Sequence, residues 1–324
     1  MKNIVIIGGG TGTSTLLSGL RQFPTNNSVI VSTADDGGST GKLRAELGVL
    51  PPGDIRQCLV GLSYTDQPLR DLFSYRFDRG SLAGHNVGNI ILAALEKQIG
   101  NPEEAIKLVA KMLNVRGQVV PITLFPTKLT AILQNGKKII GEHNIDDAKT
   151  DRPSIKELKL TPSGPANPRA LRLIESADVI VFGPGDLFTS TMPNLLVRGV
   201  KEAIAKSKAK KVMIANIMTK RGQTDKFAVS DCVRVLQKHL GKKLDTVIVN
   251  TARPPTNILK LYKKEKADLM NADIPAIEKL GAKVMAASLL SDKPAEKIPG
   301  DIIKRSLLRH DSEKLAKIIY KLVS

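Results

Sequence analysis

The chain has 324 residues, a formal net charge of +18, only 3% aromatic residues and no tryptophan. This length is enough for one α/β domain with a large core, and we expect a single domain over residues 1–324. The two cysteines, Cys58 and Cys232, are isolated, which excludes a disulfide framework and a zinc site built on cysteine pairs. There is no signal-peptide pattern and no apolar run of membrane-spanning length, so we expect a cytoplasmic protein without a membrane span.

The positive charge lies almost entirely in the second part of the chain. Residues 1–127 contain 12 lysines and arginines against 10 acidic residues, whereas residues 128–324 contain 37 against 21. These cations are mostly lysines scattered along predicted helices, without the interleaved aromatic residues of many nucleic-acid binders. We therefore expect a solvated basic surface and no nucleic-acid partner, with attraction to acidic partners or ligands as the alternative.

The chain opens with a predicted strand at 3–7 that leads into the glycine-rich segment 8–13, and a helix is expected from Ser14. A second strand at 29–31 leads into another glycine-rich segment, 34–41. Glycines let backbone N–H groups approach an anion closely, and the following helix presents unpaired N–H groups and its positive dipole end. This order predicts two loops at the carboxyl ends of adjacent strands, which form a crevice for a ligand that carries phosphate.

The first loop alone leaves two interpretations open, a ligand site or a tight packing turn. Two of its glycines match the dinucleotide fingerprint G-x-G-x-x-G, but Thr13 stands where the third glycine is needed. The second loop favours the ligand site. It places Asp35 and Asp36 among glycines with Lys42 and Arg44 just behind, and such a pair of carboxylates is costly for a mere turn.

Four helices are predicted next, at 55–62, 69–75, 89–98 and 103–113. We expect them to form a helical cap, about residues 51–115, beside the crevice.

A β-hairpin is predicted after the cap, because strands at 129–133 and 138–140 flank Asn135 and Gly136, a sequence typical of a type I′ turn. We expect this hairpin to be an insertion over about residues 127–161.

Strands and helices alternate from residue 178 onward, with strands near 179–182, 212–215, 247–249 and 284–287 and helices at about 192–207, 230–240 and 311–322. Alternation of this kind predicts parallel pairing. The predicted fold class is α/β: a doubly wound, mainly parallel, Rossmann-like sheet with a helical cap and an inserted β-hairpin.

A third loop, 183–186, follows a buried strand and precedes Thr189 and Asn194, whose hydroxyl and amide groups are expected to face the same crevice. The alternative is a plain strand-to-helix turn, since Pro193 suits a first helical turn and Thr191 its cap.

Other polar residues precede predicted helices and also have two interpretations. Asp54 and Asn86 are placed to cap helices, and so is Asp311. Arg56 is placed to bind a phosphate with two hydrogen bonds. His85 has no second histidine or cysteine nearby, so its spacing does not indicate a metal ligand.

The segments 8–12, 34–41 and 50–56 together resemble the YvcK-like gluconeogenesis factors, which are relatives of the 2-phospho-L-lactate transferase (CofD) family. The likeness continues along essentially the whole chain, as one CofD/YvcK-like domain, at residues 75–77, 83–89, 113–117, 164–168, 183–190, 193–196, 216–219 and 309–311. One position departs from the pattern. Asp186 stands where family members usually carry serine, and a carboxylate there repels phosphate unless a cation intervenes.

The resemblance adds cap, strand-end and C-terminal residues to those that the loops suggest. The candidate ligand-binding residues are Gly9, Gly10, Thr11, Gly12, Thr13, Asp36, Gly37, Gly38, Ser39, Arg44, Asp54, Arg56, His85, Asn86, Asn89, Gly183, Gly185, Thr189, Asn194, Asn216 and Arg309.

The resemblance implies two competing functions. YvcK-like members imply a regulatory protein, not an enzyme, that binds a nucleotide sugar such as UDP-N-acetylglucosamine and links gluconeogenic carbon metabolism to cell-wall synthesis and cell shape. CofD relatives imply a transferase that moves a phospho-lactate or phosphoenolpyruvate moiety from a guanosine diphosphate carrier to a deazaflavin acceptor. Asp35 and Asp36 would then be the candidate catalytic and Mg²⁺-binding residues, and Mg²⁺ is the cofactor that this function implies.

The segments that carry the resemblance, including 50–56 and the closing 309–311, follow the YvcK-like pattern. This favours the binding protein. The expected partner is a nucleotide sugar or a related nucleotide diphosphate, and association into homo-oligomers stays open. An NAD-dependent oxidoreductase is disfavoured, because it needs the missing third glycine and a lone ribose-binding acid after the second strand.

Overall fold

A parallel sheet of seven strands forms the centre of the computed structural model, which describes residues 1–292 and 307–323. In these residues the strands are β1 (Lys2–Ile7), β2 (Thr25–Val31), β3 (Gln118–Pro121), β4 (Lys128–Leu133), β5 (Lys138–Ile140), β6 (Ile155–Thr161), β7 (Val179–Phe182), β8 (Lys210–Ile214), β9 (Thr246–Asn250) and β10 (Lys283–Ala287). The large sheet has the order β10-β9-β8-β7-β1-β2-β3, and all its neighbours pair in parallel.

The helices are α1 (Gly10–Leu20), α2 (Gly38–Leu47), α3 (Pro52–Leu62), α4 (Gln67–Ser74), α5 (Val87–Ile99), α6 (Pro102–Met112), α7 (Glu142–Asp146), α8 (Pro168–Glu175), α9 (Met192–Leu195), α10 (Val200–Lys206), α11 (Val229–Leu240), α12 (Thr256–Lys264), α13 (Ile274–Lys279) and α14 (Ser312–Val323). A π-helical turn, Leu187–Thr191, precedes α9. No helix in the described part of the chain is both long and apolar enough to cross a membrane.

The large sheet is buried on both faces, as its apolar strands predict. In β1, Val5 and Ile7 belong to one core cluster, which includes residues of α8, α10 and α11. Ile4 and Ile6 belong to a second cluster, with residues of α1, α3 and α14. Helices therefore cover both faces of a parallel sheet, and the predicted doubly wound α/β fold is confirmed.

Several boundaries differ from the predictions. The prediction missed β3, which has only four residues, ends in Pro121 and pairs with β2 after five intervening helices. The helix expected over about 192–207 is divided into α9 and α10, and Gly199, with a φ of 97°, lies between them. α1 begins at Gly10, four residues before the expected Ser14.

The inserted hairpin is one part of a three-stranded antiparallel sheet with the order β5-β4-β6. The predicted type I′ turn is wrong, because Asn135 does not have the positive φ that this turn needs at both central residues. Instead the Gly136 N–H donates to the Leu133 carbonyl, and Gly136 has a φ of 84°. This is the three-residue hairpin loop that closes with a left-handed glycine.

Candidate functional site

The loops after β1 and β7 meet where the winding of the large sheet reverses. The chain moves from β1 to β2 and β3 in one direction and from β7 to β8, β9 and β10 in the other. Doubly wound proteins bind ligands at the carboxyl edge beside such a reversal. We call this region, with the loop after β2, the crevice.

The first loop lies between α3 and the third loop. The Thr13 hydroxyl donates to the Pro184 carbonyl at 3.2 Å, which joins the two loops. Gly9 is closely packed, since a Cβ placed on it would lie 1.9 Å from the Asp54 Oδ2. α3 begins at Pro52 with Pro51 as its N-cap residue, so Asp54 lies inside the first turn and is not the cap. Its carboxylate instead packs against the glycine backbone.

Two helices begin in the crevice with glycine as the N-cap residue, Gly9 for α1 and Gly37 for α2. Glycine has no side-chain oxygen that can accept from the first-turn N–H groups. A helix start of this kind offers N–H groups and a positive partial charge to an anion. The predicted glycine segments therefore bring two helix starts without side-chain caps to one edge of the sheet.

The two aspartates of the second loop have different roles. Asp35 accepts the Gly37 N–H at 3.0 Å, and Asp36 accepts the His143 N–H at 2.9 Å. Burial raises the pKa of Asp35, the Gly37 N–H and the Thr40 hydroxyl lower it, and the charge of Asp36 raises it again, with a net increase. Arg44 donates to the Asp35 carbonyl at 3.2 Å and also to the Thr127 carbonyl. Arg44 therefore joins this loop to the small sheet.

Ser39 is the centre of a polar cluster between α2 and the start of α5. Its hydroxyl lies 3.2 Å from the His85 Nδ1 and 3.4 Å from the Asn89 Nδ2. Asn89 accepts from the Arg56 Nε at 3.0 Å, and Arg56 also donates to the Phe73 carbonyl at 3.4 Å. Arg56 is only 5% exposed, so its guanidinium holds Asn89 in place from a buried position on α3.

Two predicted ligand residues are buried and serve as structural supports. Asn86 is 1% exposed; it caps α5 by accepting the Asn89 N–H at 3.2 Å and donates to the carbonyls of Ser74 and Tyr75. Asn194 is fully buried and donates to the Ser190 carbonyl at 2.9 Å. Neither side chain is brought to the surface of the crevice.

A short helix of the insertion, α7, adds carboxylates that the sequence reasoning missed. Burial raises the pKa of Glu142 well above its ordinary value, and the charges of Asp35, Asp146, Asp54 and Asp36 raise it further. These five residues form the acidic side of the crevice. The polar run at 142–146 after the hairpin was the available signal. The second loop, which this run contacts, is distant from it in sequence, so the contact could not be read from the sequence.

The carboxylate of the third loop, Asp186, is paired with a lysine that follows β8. Asp186 lies 3.3 Å from the Lys220 Nζ, which also contacts Asp146 at 3.0 Å. Burial lowers the pKa of Lys220, but the carboxylates of Asp186 and Asp146 more than offset this, so its pKa is raised. Lys220 is the cation that the carboxylate at position 186 requires. The ion pairs also join the insertion to the large sheet.

Two further polar side chains lie beside this ion pair, one from the π-helical turn and one from the segment after β8. The Thr189 hydroxyl is 3.4 Å from Asp146, and Gln223 donates to Asp146 at 3.0 Å. Gly183, Gly185 and Asn216 line a small cavity behind the third loop. The structure thus places Thr189 beside the acidic side and Asn216 behind the loop.

Arg309 lies just before α14, where its carbonyl accepts the Ser291 N–H at 2.9 Å. The next residue, His310, is buried beside Ala215 at the end of β8, and burial lowers its pKa to about 4. Asp311 accepts from the N–H groups of residues 313 and 314, as a cap does. The segment therefore approaches the carboxyl edge at β8, and a ligand contact by Arg309 stays a prediction.

The acidic side is the candidate place for Mg²⁺. Carboxylate oxygens are suitable donors for this ion. Within residues 1–292 and 307–323, however, no group of three or more His, Cys, Asp or Glu side chains is arranged to hold a metal ion. Asp35 and Asp36 each already accept a backbone N–H. The donor chemistry fits Mg²⁺ and the arrangement of the side chains does not.

Comparison with known proteins agrees with this architecture. The model of the family described as 2-phospho-L-lactate transferase CofD matches residues 4–290. A putative gluconeogenesis factor of Thermotoga maritima is 41% identical over 98% of each chain. The gluconeogenesis factor of Bacillus subtilis is 38% identical and is matched over 99% of this chain and 98% of its own.

A crystal structure from Bacillus halodurans, described as a member of the UPF0052 family, superimposes with a TM-score of 0.90. It is 38% identical and covers 98% of each chain. Similarity of this extent, in sequence and in fold, leaves one assignment. The chain belongs to the gluconeogenesis factor (UPF0052) family of CofD-related proteins.

Proposed function

We propose that the crevice binds a nucleotide sugar, with a uridine diphosphate sugar such as UDP-N-acetylglucosamine as the favoured ligand. The observation that carries the proposal is the meeting of two glycine N-cap residues, Gly9 and Gly37, at the point where the sheet reverses. The N–H groups of α1 and α2 would face the diphosphate. The gluconeogenesis factor name of the relatives supports a role in gluconeogenic carbon metabolism, and we propose a regulatory protein that links this metabolism to cell-wall synthesis and cell shape.

The two sides of the crevice suit the two ends of such a ligand. The helix starts favour phosphate, whereas the carboxylates of α7 repel it. Carboxylates accept hydrogen bonds from hydroxyl groups, so Glu142 and Asp146 suit a neutral sugar. A ligand with a diphosphate at one end and a hydroxyl-rich sugar at the other would place its diphosphate at the helix starts and its sugar towards α7.

A thermal-shift panel tests the proposal, because a ligand that binds only the folded state raises stability in proportion to ln(1 + [L]/Kd). We expect UDP-N-acetylglucosamine to raise the Tm more than GDP or NAD at equal concentration. UDP alone should give a smaller shift than the sugar conjugate, since the acidic side would then have no partner. A larger shift with GDP than with the UDP-sugar would contradict the assignment.

The phospho-lactate transferase is the second candidate, and one observation favours it. Asp35 lies beside the start of α2, where it accepts the Gly37 N–H, and burial raises its pKa and that of Glu142, so that both carboxylates are stronger bases than usual. Such groups suit deprotonation of an acceptor hydroxyl. Turnover of a deazaflavin alcohol with a guanosine-linked donor and Mg²⁺, lost in Asp35→Asn, would establish this function instead.

A further inference from the structure

Eight exposed lysines lie at the amino edge of the large sheet, opposite the crevice. Strands β8, β9 and β10 are in parallel register, with Lys283 opposite Thr246 and Thr246 opposite Val212. Their amino ends therefore share one edge with the carboxyl ends of the helices that lead into them. Three connections meet there: 206–210, 238–245 and 279–283.

The first connection, from α10 to β8, exposes Lys206, Lys208 and Lys210. The Lys210 Nζ donates to the Leu322 carbonyl at 2.9 Å, which places the end of α14 beside it.

The second connection, from α11 to β9, exposes Lys238, Lys242 and Lys243. The Lys242 Nζ donates to the Ala205 carbonyl at 2.5 Å, so the second connection lies against the first.

The third connection, from α13 to β10, exposes Lys279 and Lys283. A Cβ placed on Gly281 would lie 2.8 Å from the Lys243 Cδ, so the third connection lies against the second. The eight exposed lysines of the three connections, which we call the lysine edge, thus form one continuous surface.

The lysine edge carries a large excess of positive charge. Within the three connections the exposed carboxylate is Asp245, which gives eight cations against one anion there, and exposed Glu202 and Glu278 lie just outside them. Asp245 also accepts the Lys211 backbone N–H at 2.7 Å. Among the described residues, none of the eight lysines has a carboxylate within ion-pair distance. The surface is therefore uncompensated.

Helix dipoles explain only part of this arrangement. Lys206, Lys238 and Lys279 lie in the last turns of α10, α11 and α13, where a cation stabilises the helix end. The other five lysines lie beyond the helices, and the dipole effect falls off within the last turn. Helix stabilisation therefore does not account for most of the lysine edge.

The chemistry of the lysine edge suits a diffuse anionic surface. It consists of lysines without arginine, and lysine ammonium groups are hydrated point charges without the planar fork that binds individual phosphates. None of the three connections contains a phenylalanine, tyrosine or tryptophan, so there is no platform for stacking nucleic-acid bases. A row of such lysines is attracted to an anionic bilayer, where each residue adds to the affinity.

We propose that the lysine edge binds the surface of an anionic phospholipid bilayer reversibly, with the crevice facing away from it. Attachment is electrostatic and falls as salt increases, because none of the three connections contains an exposed large apolar residue. The crevice lies at the opposite edge of the sheet, so membrane attachment leaves it open to its ligand. This inference does not depend on which nucleotide the crevice binds.

Co-sedimentation with vesicles tests the proposal. The protein should bind vesicles that contain roughly 30% phosphatidylglycerol and not pure phosphatidylcholine vesicles, and binding should be lost between about 0.1 M and 0.5 M salt. The variant that neutralises the lysine edge combines Lys206→Gln, Lys208→Gln, Lys242→Gln and Lys243→Gln. We expect its partition to fall at least about tenfold.

A matched control removes the same charge from the small sheet. It replaces four exposed lysines by glutamine, at Lys128, Lys137, Lys138 and Lys156. This control should retain most of the partition, and both variants should keep the parent Tm. Equal losses in the two variants, or no binding of anionic vesicles by the parent, would overturn the proposal. Stronger binding of a DNA duplex than of vesicles in the same salt would assign the lysine edge to nucleic acid instead.

Discussion

Removal of the Lys220 ammonium is expected to destabilise the protein more than removal of the cation from an exposed ion pair does. In Lys220→Met, the carboxylates of Asp186 and Asp146 lose their shared cation, which lies 3.3 and 3.0 Å away. Breaking a fully buried pair costs about 3–5 kcal/mol, and an exposed pair about 0–1 kcal/mol. The three side chains are 34%, 30% and 32% exposed, so the environment is intermediate. We expect a loss of about 2 kcal/mol at pH 7.

The pH dependence gives this prediction a sign. Burial already raises the pKa of Asp186, and loss of Lys220 removes the charge that opposes this. An acid with a raised folded-state pKa weakens folding above that pKa and stops doing so once it is protonated. The deficit of Lys220→Met should therefore shrink as the pH falls from 7 towards 4. In the parent, the stabilisation by Lys220 is present below the ordinary lysine pKa and is lost only at strongly alkaline pH, because the folded-state pKa is raised.

Urea unfolding followed by circular dichroism measures these differences, provided that the slope m is unchanged. Lys107→Met is the matched control, since its ion pair with Glu104 is about half exposed on both sides. This control should lose less than about 1 kcal/mol. The double variant Lys220→Met with Asp186→Ser should regain much of the stability, because it also removes an uncompensated charge. A single variant as stable as the parent, or a double variant less stable than the single, would refute the reasoning.

Three further predictions concern other residues. Asp36→Asn should unfold within roughly 1 kcal/mol of the parent in urea, because the new amide oxygen can still accept the His143 N–H; a larger loss with unchanged ligand binding would make Asp36 structural. Arg309→Ala should weaken UDP-sugar binding in titration calorimetry by roughly 1.5–3 kcal/mol with an unchanged fold, and unchanged affinity would remove it from the site. Burial raises the pKa of Cys58 well above its ordinary value and that of Cys232 to about 12, so neither thiol should react with a disulfide reagent at pH 8 until urea unfolds the chain.

The parts of the fold with strong local signals could be predicted from the sequence. The buried run of β1 and the glycines after it gave the first strand, loop and helix, although α1 begins earlier than expected. The sequence did not reveal β3 or β6, because both depend on pairing with strands distant in sequence. The strand β6 also alternates exposed and buried residues beside lysines, which weakens its apolar pattern.

In the candidate site, too, some features could be predicted from the sequence and others could not. Its glycine loops could be located from the sequence, because each follows a strand that the hydrophobic pattern indicates. The roles of single polar side chains could not, because they depend on neighbours from other elements. The sequence leaves a phosphate contact of Arg56 open, and in the structure its guanidinium donates to Asn89 and to the Phe73 carbonyl. Lys220 had no sequence signal of its own, although the carboxylate of Asp186 required a cation nearby.

Hydrogen exchange with UDP-N-acetylglucosamine tests the central claim most directly, because it reports both the ligand and the place where it binds. Amides that the ligand contacts should exchange more slowly in its presence. We predict protection in peptides that cover the first turns of α1 and α2, residues 9–13 and 37–40, and little change along β10 and α13. Protection confined to other parts of the chain, or no protection at a saturating concentration, would contradict the account.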